Sequence, residues 1–103
     1  MSKQDWKEGT VQDLLELSDV DMALVETKVA LTRALRRQRQ ESQLTQTDVA
    51  RAMRTSQSRV ARIEAGDPSV SLDLVFKALY TVGMTPLEVG NFIKEAAAPY
   101  SVR

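Results

Sequence analysis

Apolar residues recur along this chain at spacings of three and four, and no segment holds the two-residue alternation of a half-buried strand. The pattern predicts an all-α protein. Glycine and proline are few and sit mostly between the periodic stretches. Capping chemistry cuts the pattern into elements. Ser18 precedes Asp21, Thr45 precedes Asp48 and Thr85 precedes Glu88, each a hydroxyl that can cap a first turn, with an acid three residues on to answer it. Pro86 follows Thr85 at a first helical position, where its missing N–H is no loss. The expected helices are a short one over 11–17, a long one over 19–42 with Leu24, Leu31 and Leu35 as its buried stripe, two short ones over 46–53 and 57–65, and two more over 72–82 and 86–97. Gly66 ends the second short helix, as an achiral residue just past a helix end does. Residues 1–10 and 99–103 are expected to be loose.

The two short helices carry the functional information, because only Arg54, Thr55 and Ser56 separate them. In LTQTDVARAMRTSQSRVARIEAG the apolar positions are Leu44, Val49, Ala50, Met53, Val60 and Ile63. A small residue at Ala50 lets the first helix cross closely over Val60 and Ile63 of the second, giving a tight two-helix corner. The second helix then turns Gln57, Ser58, Arg59 and Arg62 outward together. An α-helix fits the major groove of B-DNA, where Gln pairs with adenine, Arg with guanine and Ser with either.

Composition narrows the alternatives. The 103 residues are one domain's worth of chain, with neither cysteine nor histidine. Disulfides, thiolate nucleophiles, the usual zinc sites and a neutral-pH imidazole are thereby excluded. No nucleophile stands beside a candidate base in a recognisable pattern, so no catalytic residue is assigned, and no metal or cofactor is expected. No signal pattern opens the chain and no apolar run approaches the roughly 20 residues a bilayer requires, so a cytoplasmic protein without membrane contact is expected. Net charge is zero, but it is unevenly spread. Residues 1–27 hold two lysines against seven acids, whereas residues 28–62 hold nine basic residues against Glu41 and Asp48. A basic middle suits a phosphate-binding face, and it equally suits a solvated one.

The order and spacing of LRRQR, LTQ, VA, SQSRVARIEAG and SLDLVFKAL resemble the lambda-repressor-like, Xre-type helix-turn-helix proteins over residues 31–83. The resemblance implies a five-helix DNA-binding domain with a short helical extension in front. It implies that Gln57, Ser58 and Arg62 read base edges, and that Gln46, Thr47, Thr55, Ser56 and Arg59 meet the phosphate backbone of double-stranded DNA. Arg39 and Glu64 would form a scaffolding ion pair between the long helix and the recognition helix. The preceding stretch, WKEGTVQDLLELSDVDMALVETKVALTRAL, is similar to HigA-like antitoxins, which bind a RelE/HigB-type toxin and repress their own operon as dimers; stand-alone Xre-type regulators share the same core. The chain accordingly divides into an extension with the start of the long helix (1–27), the helix-turn-helix domain (28–98, with the motif at 46–65) and a tail (99–103).

Two features depart from the family pattern. Arg54 stands in the turn where glycine is common, at a strain of roughly 1 kcal/mol, which implies a distorted turn or a longer preceding helix. The loop Asp67, Pro68, Ser69 has no cation, which leaves Ser69, Ser71 and main-chain amides to grip phosphate there. Other residues admit plainer readings. Arg33, Arg36 and Arg37 fit a solvated face or partners for Glu26 and Glu41 better than a phosphate clamp. Trp6, the only tryptophan, suits either a staple onto the core or a protein-binding surface. Leu87, Val89, Phe92 and Ile93 exceed what so small a core needs and are assigned to a homodimer seam.

Overall fold

The structure, a computed structural model, describes residues 18–97; the expected helix over 11–17, Trp6 and the tail over 99–103 lie outside the described residues. Five α-helices account for the fold, and no strand occurs among the described residues. They are α1 (Asp19–Glu41), α2 (Gln46–Met53), α3 (Gln57–Glu64), α4 (Leu72–Thr81) and α5 (Pro86–Ala97). The long α1 packs against α5, α4 and α3, while α2 packs against α3 and α4. The core they enclose is built on Leu31, Leu35, Val49, Val60, Ile63, Val75 and Leu79, all fully buried.

Helix starts follow the capping residues. Ser18 and Thr45 each accept a bond from the N–H three residues on, and the Asp21 and Asp48 carboxylates in turn accept from the cap's own N–H. Ser56 and Ser71 cap α3 and α4 in the same sense. Helix ends are more uniform than the sequence suggests. After α1, α2, α3 and α4 the chain passes through one residue with positive φ, at Gln43, Arg54, Gly66 and Gly83 respectively. In each case that residue's N–H and the next one's bond back to carbonyls three and five residues earlier, which satisfies the last turn's free acceptors.

Two of those four positions are not glycine. Arg54 takes φ 59° and ψ 48° and so adopts the left-handed conformation itself. The turn is neither distorted nor absorbed into a longer α2, and the strain is carried by one residue. Arg54→Gly is therefore expected to stabilise the domain by roughly 0.5 kcal/mol, less than the full steric relief because glycine also gains freedom when unfolded. Thermal denaturation would register this as a rise of about 2–4 °C.

The buried stripe of α1 is shorter than expected. Leu31 and Leu35 are fully buried, but Leu24, on the same face, is 51% exposed, as are Val20, Val25 and Val29 in large part. The rest of the bundle lies along the carboxyl-terminal half of α1, so Leu24 has nothing described opposite it. A single anchor secures the middle of the helix: the Lys28 ammonium donates to the carbonyls of Asp67 and Val70, at 2.9 and 2.7 Å.

The apolar residues of α5 are also corrected. Val89 is 3% exposed and belongs to the monomer's own core, and Phe92 and Ile93 pack partly against that core. Only Leu87, 74% exposed, stands clear of it. The surplus counted in the sequence is taken up largely by the contact of α5 with α1.

Candidate nucleic-acid interface

The corner between α2 and α3 is held from beneath by a buried ion pair. The Glu64 side chain is 1% exposed at the end of α3, and Arg39 of α1, 13% exposed, binds it with two parallel bonds: Nε to Oε2, and Nη2 to Oε1 at 3.1 Å. The third Arg39 donor, Nη1, caps the carbonyl of Leu44 at 2.9 Å. Arg36 adds a second, looser cation 3.7 Å from Glu64 Oε1. A planar guanidinium with several donors in a fixed fork suits this place, where a point charge on a flexible stem would leave acceptors unmet.

Glu64 also reaches the surface through amides. Gln46, at the first position of α2, donates from Nε2 to Glu64 Oε1 at 3.1 Å, and its own Oε1 accepts from Gln57 Nε2 at 2.6 Å. A continuous chain thus runs from Arg39 through Glu64 and Gln46 to Gln57, the first residue of α3. Its effect is to orient the Gln57 amide. One N–H is engaged inward, while the other N–H and the carbonyl oxygen stay available, a donor and an acceptor that match adenine N7 and N6–H in the major groove.

The remaining α3 residues named from the sequence are exposed. Ser56, Ser58, Arg59 and Arg62 all face solvent, with the Ser56 and Ser58 hydroxyls 3.2 Å apart and Ser56 Oγ capping the Arg59 N–H at 3.2 Å. Thr47 is exposed on α2, while Gln46 and Thr55 are half-buried. Arg62 Nε lies 3.4 Å from Asp67 Oδ2. Arg59 and Arg62 share a shallow pocket of about 310 Å³ with Ser69, Ser71 and Lys77.

Lys77 puts beside this pocket a cation that the loop sequence lacks, with Asp73 of the same helix also in the lining. Nothing local in the sequence marks it, because α4 brings it to the pocket only through tertiary packing. Asp67 was legible in principle: an aspartate two residues before a serine is the signature of an Asx turn, and its Oδ1 accepts from both the N–H and the hydroxyl of Ser69 at 2.8 Å. Of the other arginines, Arg37 pairs with Glu41 one turn on at 3.0 Å and covers the Phe92 ring at 5.8 Å, which ties α1 to α5. Among the described residues no cluster of acidic groups could hold a metal, and no helix is long and apolar enough to cross a membrane.

Two carboxylates near the corner are held below the ordinary range. The Thr45 backbone N–H, then the Thr45 hydroxyl and Arg51, lower Asp48; the Ser69 N–H and hydroxyl, then Arg62, lower Asp67. Each group stabilises the fold above the ordinary carboxylate pKa, and that contribution is lost as pH falls through its lowered value. Carboxyl-carbon NMR should place the Asp48 midpoint below that of an unstructured peptide. Thr45→Ala, which removes the hydroxyl and keeps the backbone N–H, should raise it part of the way, and an unmoved midpoint would remove the hydroxyl as a cause.

A family model described as a helix-turn-helix domain matches residues 30–90. The chain belongs to this family. No curated protein and no solved structure matches it at a significant level. The match takes in the carboxyl-terminal half of α1, the whole of α2 to α4 and the start of α5, which is the part of the chain that forms the common core. Membership makes the protein a DNA-binding helix-turn-helix regulator. α3 is the second helix of the motif, and the braced corner fixes its position against α2.

Proposed function

We propose that the chain is a sequence-specific repressor that binds its own operator as a homodimer. Gln57, Ser58 and Arg62 read base edges, while Gln46, Thr47, Thr55, Ser56 and Arg59 take the phosphate backbone. The observation that carries this reading is the exposed polar face of α3, held at a fixed angle by the buried Glu64 and its partners. In a dimer, two such helices reach successive major grooves when the half-sites lie about 34 Å apart. Leu87, with the partly exposed Phe92 and Ile93 beside it, supplies apolar surface for a seam along α5; Val89 has no part in it. Gel-shift titration against the DNA upstream of its own reading frame tests the proposal. Binding should weaken steeply as salt rises and should protect a two-fold repeated site; equal affinity for unrelated duplexes at every salt concentration would overturn it.

The finer reading is an antitoxin that neutralises a RelE/HigB-type toxin, with DNA binding as its feedback arm. Its support is the resemblance of the amino-terminal stretch to HigA-like antitoxins, together with the acidic excess of residues 1–27. It is also supported by the exposed Val20, Leu24, Val25 and Val29, which stand on α1 among Asp19, Asp21 and Glu26. An acidic and apolar surface of this kind complements a basic protein. A short basic reading frame beside this one, whose product co-purifies with the chain but not with a form lacking residues 1–17, is the expected result. Absence of such a neighbour would leave a stand-alone regulator.

A further inference from the structure

The loop that follows the recognition helix is held on three sides. Gly66 and Asp67 donate their N–H groups back to the carbonyls of Ile63 and Arg62, both at 3.1 Å, so the position of Asp67 is referred directly to that of Arg62. Ser69 fixes the carboxylate through two bonds to Oδ1. Lys28 clamps the loop from α1 by its two bonds to the carbonyls of Asp67 and Val70. The outcome is a carboxylate of set orientation whose second oxygen, Oδ2, lies 3.4 Å from Arg62 Nε.

Stability accounts for the bonds to Ser69 but not for the pairing of Asp67 with Arg62. The Arg62 and Asp67 side chains are 56% and 31% exposed, and ion pairs that exposed contribute little to folding. An acid paired with an arginine of the DNA-facing helix also opposes DNA in general, since its charge repels phosphate. What the pair does supply is direction. A guanidinium held at Nε keeps both Nη groups for a partner, and two Nη donors are what the O6 and N7 edge of guanine accepts.

We propose that Asp67 is a positioning residue for sequence readout: it restrains Arg62 as a fixed two-donor fork toward guanine and discourages the same arginine from settling on a phosphate. The inference rests on Arg62 reading a base, as set out under the proposed function. Asp67 thereby trades overall DNA affinity for discrimination at one operator position.

Asp67→Asn isolates the effect, because the amide oxygen can still accept both Ser69 bonds while the charge facing Arg62 is gone. Binding-site selection from a randomised duplex library would be run on the full chain for the wild type, D67N, R62A and the double variant, with thermal melts as a check on folding. The wild type should require guanine at one position of each half-site, and R62A should lose that requirement alone. D67N should weaken the guanine preference there by roughly three- to fivefold, leave the position read by Gln57 unchanged, and bind random duplex more tightly. D67E, which keeps the charge, should recover part of the preference. The double variant should select as R62A does.

An unchanged guanine preference in D67N, an equal loss at every position, or a D67N effect on selectivity that persists in the R62A background would each overturn the proposal. A wild-type chain that enriches no sequence would instead overturn base readout itself, and this inference with it. That failure is told apart because it appears before any variant is compared.

Discussion

Arg39→Ala is expected to destabilise the domain by about 3 kcal/mol, since it leaves a carboxylate buried with its principal partner gone. The Glu64 side chain is 1% exposed, and Arg39 provides two of its bonds while also capping Leu44. Arg36 and Gln46 remain within reach of the same carboxylate, which keeps the figure at the low end for broken buried pairs. For a domain of this size the loss corresponds to a fall in melting temperature of roughly 12–20 °C. Urea unfolding would measure it directly, and a change below about 1 kcal/mol would show that the pair is dispensable. Replacing Arg39 and Glu64 together with apolar residues of similar volume should recover much of the stability, because no charge is then stranded. DNA affinity should not recover with it. The Gln46 amide would have lost its acceptor on Glu64, and the orientation of Gln57 depends on Gln46.

The converse result is expected at the surface. Gln57→Ala combined with Arg62→Ala should reduce affinity for the operator by about 30- to 1,000-fold, corresponding to roughly 2–4 kcal/mol for two base-reading side chains. The same variant should melt close to the wild-type temperature, because both residues are exposed and neither contributes to the core. Affinity for unrelated duplex should fall far less, since the phosphate contacts that dominate it remain in place. Specific binding left intact in this variant would count decisively against recognition through α3. Loss of specific and non-specific binding in equal measure would reassign both residues to the backbone.

These two variants separate what the corner is from what it reads, and the sequence was informative about each to a different degree. Helix starts were legible because a cap is local chemistry: Ser18, Thr45 and Thr85 lie three residues from the acids that answer them, and no distant contact is needed. Helix ends were placed one residue late after α1, α3 and α4, since Ser42, Ala65 and Val82 are caps rather than helical residues. The buried face of α3 and its exposed polar side followed from periodicity, which a short helix buried on one side only, against α1 and α2, obeys closely.

Periodicity failed where its assumption failed. Leu24 shares a face with Leu31 and Leu35, yet among the described residues no other helix reaches that far along α1. Val89 looked surplus to a small core and is part of it, because burial depends on what α1 presents to α5 and not on how many apolar residues precede it. Arg54 departed from the expected glycine, and the fold accepted the local strain rather than rearrange the turn.

By itself, then, the order of residues determined the helical class, the boundaries of the five described helices to within a residue, the two-helix corner and the polar positions that α3 turns outward, all properties set largely by residues near one another in the chain. The tertiary structure decided which apolar faces are covered. It also brought Lys77 to the pocket beside Arg59 and Arg62, linked Gln57 through Gln46 to the buried Glu64, and set Asp67 against Arg62. Those pairings join residues on different elements, or across the turn that ends α3. The backbone path that brings them within bonding distance is a property of the whole packed domain.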